Sequence, residues 1–210
     1  AAGHAHFPLQ NLPMGVYRAR ERPRIGVAIG DEVLDLKAAQ ELGLLAVGAD
    51  VALAIQGETL NAWMALPARS RKELRAAIWQ LLCADEPQGR NAAAHGSALL
   101  VPQASVEMLL PAAVGDYTDF YAGIHHAMNC GLIFRPELPL QPNYKYLPVA
   151  YHGRASTLRP SGTPVKRPAS QIRKDGPPIL APTENLDYEM ELAIWVGPGN
   201  QLAHPIGIAG

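Results

Sequence analysis

The chain has 210 residues, with 18 Lys and Arg against 19 Asp and Glu, and a formal net charge of −1. This balance argues against nucleic acid or an anionic membrane as a partner, because both select an excess of basic residues. A hydrophobic fraction of 48% and a charged fraction of 18% exclude an intrinsically disordered chain. The 19 Gly and 19 Pro favour many turns and short strands over long helices.

A β-hairpin is predicted after an extended, proline-broken segment that covers residues 1–22. The run RIGVAIGDEVLDL at 24–36 contains two β-rich stretches that meet at Gly30 and Asp31. Both residue types tolerate a positive φ, which the tight turn of a hairpin requires.

Helical patterns occupy three segments before residue 85, at 36–46, 59–66 and 70–84. The last is the strongest, because Ser70 and Glu73 have the spacing of a capping box. Its apolar residues recur at helical spacing on one face, namely Leu74, Ile78, Leu81 and Leu82.

A domain boundary is predicted near residue 111, so that the chain divides into domains at 1–111 and 112–210. Before the boundary, a polar, Ala- and Gly-rich loop is predicted over 85–98 and a strand over 101–111. After it, the run 116–130 predicts a helix that starts near Asp116 or Thr118 and ends before Gly131.

Two glutamates lie in the run LDYEMELAIWVGPGN at 186–200, whose period-two alternation predicts a strand. The alternation places Glu189 and Glu191 on one face, with Cα atoms roughly 6.6–7 Å apart. Two carboxylates this close repel each other, so on a buried face they require a cation, and oxygen ligands suit Ca²⁺ or Mg²⁺. On an exposed face the same pair is simply solvated, and spacing alone leaves both interpretations open.

Asp119 and His126 are seven residues apart, which places them two turns apart on nearly the same face of the predicted helix. A carboxylate for a metal and a histidine for proton transfer then point into one pocket, since histidine titrates near neutral pH. The alternative is that Asp119 caps the helix and that His126 is a surface or core residue. The adjacent His125 lies about 100° away around the helix, which argues against a His–His metal pair.

Tyr121, Arg135, Tyr151 and Arg154 are candidates for binding an anion or a carbonyl group. Arginine offers a planar fork of donors and tyrosine a neutral donor. Surface ion pairs for the arginines and half-buried packing for the tyrosines are the alternatives.

No segment of the sequence predicts export or membrane insertion. The first ten residues lack the basic and apolar regions of a secretory signal. The most apolar stretch, at 43–55, contains Asp50 and is shorter than the roughly 20 residues that a membrane span needs. Cys83 and Cys130 form neither a disulfide framework nor a metal-type pair, so we expect a reducing, cytoplasmic location.

Four long motifs, in this order along the chain, carry a resemblance to a known family. They are FPLQNLPMGVYR at 7–18, GDYTDFYAGIHHAMNCGLIFR at 115–135, LPVAYHGRASTLRPSGTPVKRP at 147–168 and LDYEMELAIWVGPGN at 186–200. Together they closely resemble the fumarylacetoacetate hydrolase family, and the resemblance extends over almost the whole chain.

The resemblance implies a role for individual residues. Asp119 in TDFY corresponds to a metal ligand, and Glu189 and Glu191 in YEMEL correspond to two further ligands of Ca²⁺ or Mg²⁺. His126 corresponds to the general base. Substrate-binding side chains are implied at Tyr121, Arg135 and Tyr151.

The fold that the resemblance implies is mainly β with some α. A small SH3-like barrel at 1–111 would precede the first part of a β-roll at 112–210, in a protein that forms a homodimer. Family members are longer than this chain, and the part expected beyond Gly210 would carry a fourth metal carboxylate, a lysine and a glutamate that orients the histidine. The chain is therefore expected to be an amino-terminal half with an incomplete β-roll.

The implied partner is a small diketo acid, and the implied reaction is metal-dependent hydrolysis of a carbon–carbon bond in a 1,3-diketone. Water would cleave 4-fumarylacetoacetate into fumarate and acetoacetate, the last step of tyrosine and phenylalanine catabolism. One alternative is a related activity on the same core, acylpyruvate hydrolysis or oxaloacetate decarboxylation. The other is a truncated fragment without activity.

Overall fold

The computed structural model describes residues 3–208 and combines short strands with short helices. The expected mixture of β-structure with some α is confirmed in that coarse form. The chain divides into two compact units, one within Ala1–Ala112 and Pro160–Gly210 and the other within Ala113–Arg159. No helix in the described residues has the length and apolar character of a membrane span.

Five short strands of the first unit form a curled antiparallel sheet. The strands are Met14–Arg18 (β1), Arg24–Ile29 (β2), Glu32–Asp35 (β3), Leu100–Pro102 (β4) and Glu107–Leu109 (β5). Their order across the sheet is β4-β3-β2-β1-β5. The run at 101–111 is therefore not one strand, because a 3₁₀ turn at Gln103–Ser105 interrupts it and its two ends pair with different partners.

The predicted hairpin is confirmed between β2 and β3. Ile29 pairs with Glu32 across the turn, and Gly30 has a φ of 59°, which glycine adopts without steric cost. The side chain of Gln103 donates a hydrogen bond of 2.7 Å to the Gly30 carbonyl, which ties the end of β4 to the turn.

Six helices accompany this sheet in the described residues up to Ala112. They are Leu36–Glu41 (α1), Ala49–Ala54 (α2), Asn61–Met64 (α3), Ala68–Leu82 (α4), Pro87–Ala93 (α5) and Gly96–Leu99 (α6). The predicted helices at 36–46 and 59–66 are present but shorter. The loop predicted over 85–98 is wrong, because α5 and α6 occupy it, with Pro87 in the first turn of α5, where its missing N–H costs nothing.

The hydrophobic core lies between the sheet and helix α4. Ile25, Val27 and Leu34 of the sheet are fully buried, as are Leu74 and Ile78 of α4. The predicted apolar stripe of α4 is confirmed, since Leu81 is also buried and Leu82 packs against the same cluster. Each such side chain contributes roughly 1.5–3 kcal/mol to folding by leaving water.

The capping box predicted at the start of α4 is wrong. The N-cap is Pro67, which makes no side-chain cap bond. The Ser70 hydroxyl instead donates a hydrogen bond of 2.8 Å to Oδ2 of Asp50. Oε1 of Glu73 accepts a hydrogen bond of 2.6 Å from the Gly48 N–H. Both side chains therefore connect α4 to the beginning of α2, a tertiary contact that competes with the local cap.

Replacing Ser70 with alanine is expected to raise the pKa of Asp50. The Ser70 hydroxyl is the largest of the influences that hold the pKa of this carboxyl below its ordinary value. Because the folded-state pKa is lowered, the bond stabilises the native state above the ordinary pKa of an aspartate, and this contribution is lost as pH falls through the folded value. An NMR titration of the Asp50 carboxyl carbon measures the change.

The exposed Ser97 of α6 provides the matched control for this titration. Ser97→Ala should leave the Asp50 titration unchanged. A Ser70→Ala protein whose Asp50 titrates as in the parent would contradict the assignment.

The second unit contains two paired strands and one helix: Thr118–Phe120 (β6), Ile124–Phe134 (α7) and Ala150–His152 (β7). The helix predicted over 116–130 is wrong in its first half, because β6 pairs antiparallel with β7 and this pairing satisfies the backbone that a helix would have used. The helix also continues past Gly131 to Phe134 rather than ending there.

A second hairpin, Ala169–Ile172 (β8) with Ile179–Pro182 (β9), precedes the run in which the last strand was predicted. That strand, at 186–200, is not formed: the described residues after Pro182 contain neither helix nor strand. Met190 and Ile194 are 98% and 80% exposed. A strand requires a partner for its backbone groups, and no described strand pairs with this run.

Candidate active site

The candidate residues Asp119 and Tyr151 lie directly opposite each other in the β6–β7 pair. Backbone hydrogen bonds extend the pairing at both ends. The Tyr121 N–H donates to the Val149 carbonyl at 2.8 Å, and the Gly153 N–H donates to the Tyr117 carbonyl at 2.9 Å. Asp119 is half-buried and Tyr151 is exposed. The structure thus brings a predicted metal ligand and a predicted substrate contact together on a strand pair, not on the predicted helix.

His126 lies in the first turn of α7, which begins after Gly123. The Tyr121 ring meets the imidazole edge-on, with centroids 5.4 Å apart and planes at 81°. Tyr144 also contacts Tyr121, since the ring centroids are 6.1 Å apart and the Tyr144 hydroxyl donates a hydrogen bond of 2.8 Å to the Tyr121 carbonyl. The predicted base therefore contacts a predicted substrate-binding tyrosine.

Cys130 follows His126 by one helical turn, and its Sγ lies 3.7 Å from Nδ1 of the imidazole. A side-chain hydrogen bond between Cys130 and Tyr121, with burial second, raises the pKa of the Tyr121 phenol above its ordinary value. Cys130 was not predicted to take part in the site, although its spacing of four residues from His126 is the spacing of neighbours on a helix surface.

Tyr151 shares a side-chain hydrogen bond with Tyr117, which is the main cause that raises the pKa of Tyr151 to about 12, with the charge of Asp119 adding to it. The hydrogen bonds that raise these pKa values stabilise the neutral phenols of Tyr121 and Tyr151. The Tyr117 ring also lies where a Cβ on Gly153 would be, at 2.1 Å, so the glycine admits the ring against the strand end. No sequence pattern indicated Tyr117 or Tyr144.

Arg135 is the C-cap residue of α7, and its N–H donates 2.7 Å to the Gly131 carbonyl. Its side chain is exposed, as expected for a cation that meets a ligand or solvent. Arg154 is likewise exposed, just after β7.

Glu189 and Glu191 belong to the other compact unit and lie in the run without regular structure, where both are exposed. The shared strand face that was predicted to hold them together is therefore not present. Over residues 3–208, no group of three or more His, Cys, Asp or Glu side chains is arranged to hold a metal ion.

Comparison with known proteins gives one family match, to the model described as fumarylacetoacetase N-terminal, over residues 10–111. Several curated relatives named fumarylacetoacetase match almost the whole chain. The relative from Oryza sativa subsp. japonica is 47% identical over 97% of this chain, that from Bos taurus 45% over 99%, and that from Homo sapiens 44% over 99%. The chain spans about half the length of these relatives, with shares of 50%, 51% and 51%. The resemblance predicted from the four motifs is confirmed.

Proposed function

Because the chain is similar to fumarylacetoacetases along almost its whole length and carries their amino-terminal region, we propose that it contributes to the metal-dependent hydrolysis of 4-fumarylacetoacetate. The products are fumarate and acetoacetate, in the last step of tyrosine and phenylalanine catabolism. The observation that carries the proposal is the identity of 44–47% with relatives of that name.

The proposal includes the finer architecture that the family resemblance implies. Residues 1–111 form an SH3-like barrel, and residues 112–210 form the first part of a β-roll that a longer protein completes. The curled sheet of β1 to β5 is compatible with such a barrel. We further infer a homodimer in the cytoplasm, with a small diketo acid as the ligand.

Asp119, Glu189 and Glu191 would hold the metal. All three are carboxylates, and hard oxygen donors of this kind fit Ca²⁺ or Mg²⁺ better than a softer transition metal. When bound, the cation supplies Lewis-acid polarisation of the diketone oxygens.

His126 acts as the general base. Its imidazole accepts a proton from a water molecule on a ring nitrogen, and the water oxygen bonds to the carbonyl carbon on the fumaryl side of the substrate. The carbon–carbon bond then breaks, its electron pair leaves with the acetoacetate carbon, and a proton returns there. The edge-on contact with Tyr121 supports this role, because it restricts the orientation of the imidazole.

Tyr121, Arg135 and Tyr151 bind the substrate. The raised pKa values of the two tyrosines keep their phenols protonated, so that they donate hydrogen bonds to carbonyl or carboxylate oxygens. The exposed Arg135 guanidinium offers a two-pronged donor for a terminal carboxylate.

The test is a substrate panel with the purified chain in Ca²⁺ or Mg²⁺: fumarylacetoacetate, an acylpyruvate and oxaloacetate. Loss of the ultraviolet absorbance of fumarylacetoacetate, together with saturable cation binding, would support the proposal. Cleavage of only one of the other substrates would assign the chain to a related activity. A folded chain with no saturable cation binding and no diketone cleavage would identify a non-catalytic fragment.

Replacing Glu189 with glutamine is expected to weaken cation binding at least roughly tenfold, because loss of a direct charged ligand costs no less than loss of a supporting group. Calorimetric titration with Ca²⁺ measures the change. Glu184→Gln is the matched control, since Glu184 is nearby in sequence and its Oε1 accepts 2.7 Å from Lys174. Equal affinities in the two variants would remove Glu189 from the metal site.

A further inference from the structure

We propose that a cleft beside helix α4 binds a small amphipathic carboxylate, a molecule with an apolar body and one carboxylate group. The cleft has a volume of about 560 Å³ and belongs to a single compact unit. This volume is in the range of small-molecule sites in proteins. None of the candidate active-site residues lines it, so this inference goes beyond the proposed function.

The cleft is lined by five parts of the chain, and much of its wall is apolar. The apolar residues include the core residue Ile78 and, around it, Leu12, Met14, Leu60, Trp63 and Met64. Leu12, Leu60 and Ile78 are buried members of the hydrophobic core, so the floor is a rigid surface. An alkyl chain or aromatic ring placed here would leave water and contact a preformed apolar surface.

Three cations of α4 line the same cleft: Arg71, Lys72 and Arg75. Arg75 donates hydrogen bonds to the Gln10 carbonyl, at 2.6 Å, and to the Asn11 carbonyl, at 3.0 Å. Arg71 donates a hydrogen bond to the Leu66 carbonyl. These acceptors are uncharged, so the bonds orient the guanidinium groups without neutralising them.

Among the residues that the structure describes, no acidic side chain lines the cleft. Glu73, on the same helix, directs its carboxylate to the Gly48 N–H. Throughout residues 3–208, no ion pair joins a carboxylate to Arg71, Lys72 or Arg75. The charge of this side of the cleft is therefore positive, and it is complementary to an anion.

Two of the three tryptophans, Trp63 and Trp195, line the cleft. The indole Nε1 of Trp63 is buried without an acceptor among the described residues. This N–H is closed to solvent, so Trp63 offers the cleft apolar surface and not a hydrogen bond. Trp195 is half exposed, at 49%, so a second indole is accessible to the apolar body of a ligand.

The apolar floor and the three cations together determine which class of ligand fits the cleft. A phosphate or another compact anion would leave the apolar floor in contact with water, and a neutral hydrocarbon would bring no negative charge to the cations. A polyanion such as nucleic acid is disfavoured by the net charge of −1. A molecule with one carboxylate and an apolar body satisfies both parts of the cleft.

The experiment is a calorimetric titration of the full chain with decanoate and, as a neutral counterpart, decan-1-ol. We expect saturable one-to-one binding of decanoate and at least fivefold weaker binding of decan-1-ol. Lys72→Gln should weaken decanoate binding about 2–5-fold, the effect of one exposed charge, and leave decan-1-ol binding unchanged. Lys72 is exposed, so its replacement does not disturb the core.

The position of the site is tested by filling it. Ala68 lines the cleft, whereas Ala76, on the same helix, is exposed and does not. Ala68→Phe should weaken decanoate binding at least tenfold and Ala76→Phe should leave it unchanged, with the helix content of both variants checked by circular dichroism. Equal affinity for decanoate and decan-1-ol, equal binding by the two phenylalanine variants, or no saturable binding by the folded chain would overturn the proposal.

Discussion

Replacement of His126 by alanine is expected to lower the rate of fumarylacetoacetate cleavage by roughly 10²–10⁴-fold, the range found for loss of a general base. The reason is that water is a poor nucleophile until a proton is removed, and the imidazole beside Tyr121 is the candidate acceptor. The measurement is the rate of diketone cleavage at saturating substrate and cation, in a preparation in which this chain supports the reaction. Cation affinity should stay unchanged, because His126 is not a proposed ligand.

His125 provides the matched control for this variant. It precedes His126 on α7, is also exposed, and projects about 100° away around the helix. His125→Ala should retain the parental rate. If the two variants lose the same activity, or if His126→Ala keeps its rate, the base must be assigned to another group.

Replacement of Gly131 by alanine is expected to disrupt α7 and the segment that packs on it. An added Cβ would lie 2.0 Å from the Pro139 carbonyl oxygen and 2.5 Å from its carbonyl carbon. Both atoms are backbone, so no side-chain rotation relieves the overlap, and overpacking of this kind costs about 1–3 kcal/mol or more. Hydrogen–deuterium exchange of the amides at 124–134 should accelerate roughly thirtyfold for a loss of about 2 kcal/mol.

Gly123 is the internal control for the substitution itself. It is the N-cap residue of α7 with a φ of −78°, and the nearest atom to an added Cβ is the His126 Cβ at 3.7 Å, an ordinary contact. Gly123→Ala should change exchange in α7 little. Unaltered protection of α7 in Gly131→Ala would show that the Pro139 segment does not pack against the helix in solution.

Local sequence patterns predicted the elements whose partners are close in the chain. The hairpin at Gly30 follows from two adjacent β-rich runs and a residue that accepts positive φ. The apolar stripe of α4 follows from helical spacing and becomes its buried face. The four motifs that indicated the family are also local, and the comparisons confirm the resemblance that they carry.

The errors share one physical cause, which is competition from distant partners. Ser70 and Glu73 have the right spacing for a cap, but Asp50 and the Gly48 N–H take their hydrogen bonds. The helix predicted over 116–130 loses its beginning to a strand, because β7 supplies backbone partners from about thirty residues away along the chain.

Gly131 illustrates why helix ends are hard to predict from residue type. A glycine after an apolar run is typical of a helix terminus, yet here the helix continues to Phe134, and the missing side chain admits the Pro139 backbone instead. The run at 186–200 is the opposite case. Its alternation is typical of a strand, but no described strand pairs with it, and the run stays irregular.

The sequence by itself determined the family resemblance, the hairpin, the core face of α4 and the chemical types of the candidate site, because each depends on residues that are near neighbours in the chain. Only the tertiary structure decided that Asp119 lies on a strand opposite Tyr151, that Tyr121 and Tyr144 flank one another beside His126, and that cations and indoles line a common cleft beside α4. Such contacts depend on which segments, far apart in the chain, pair and pack with each other. The spacing of residues along the sequence does not show which segments these are.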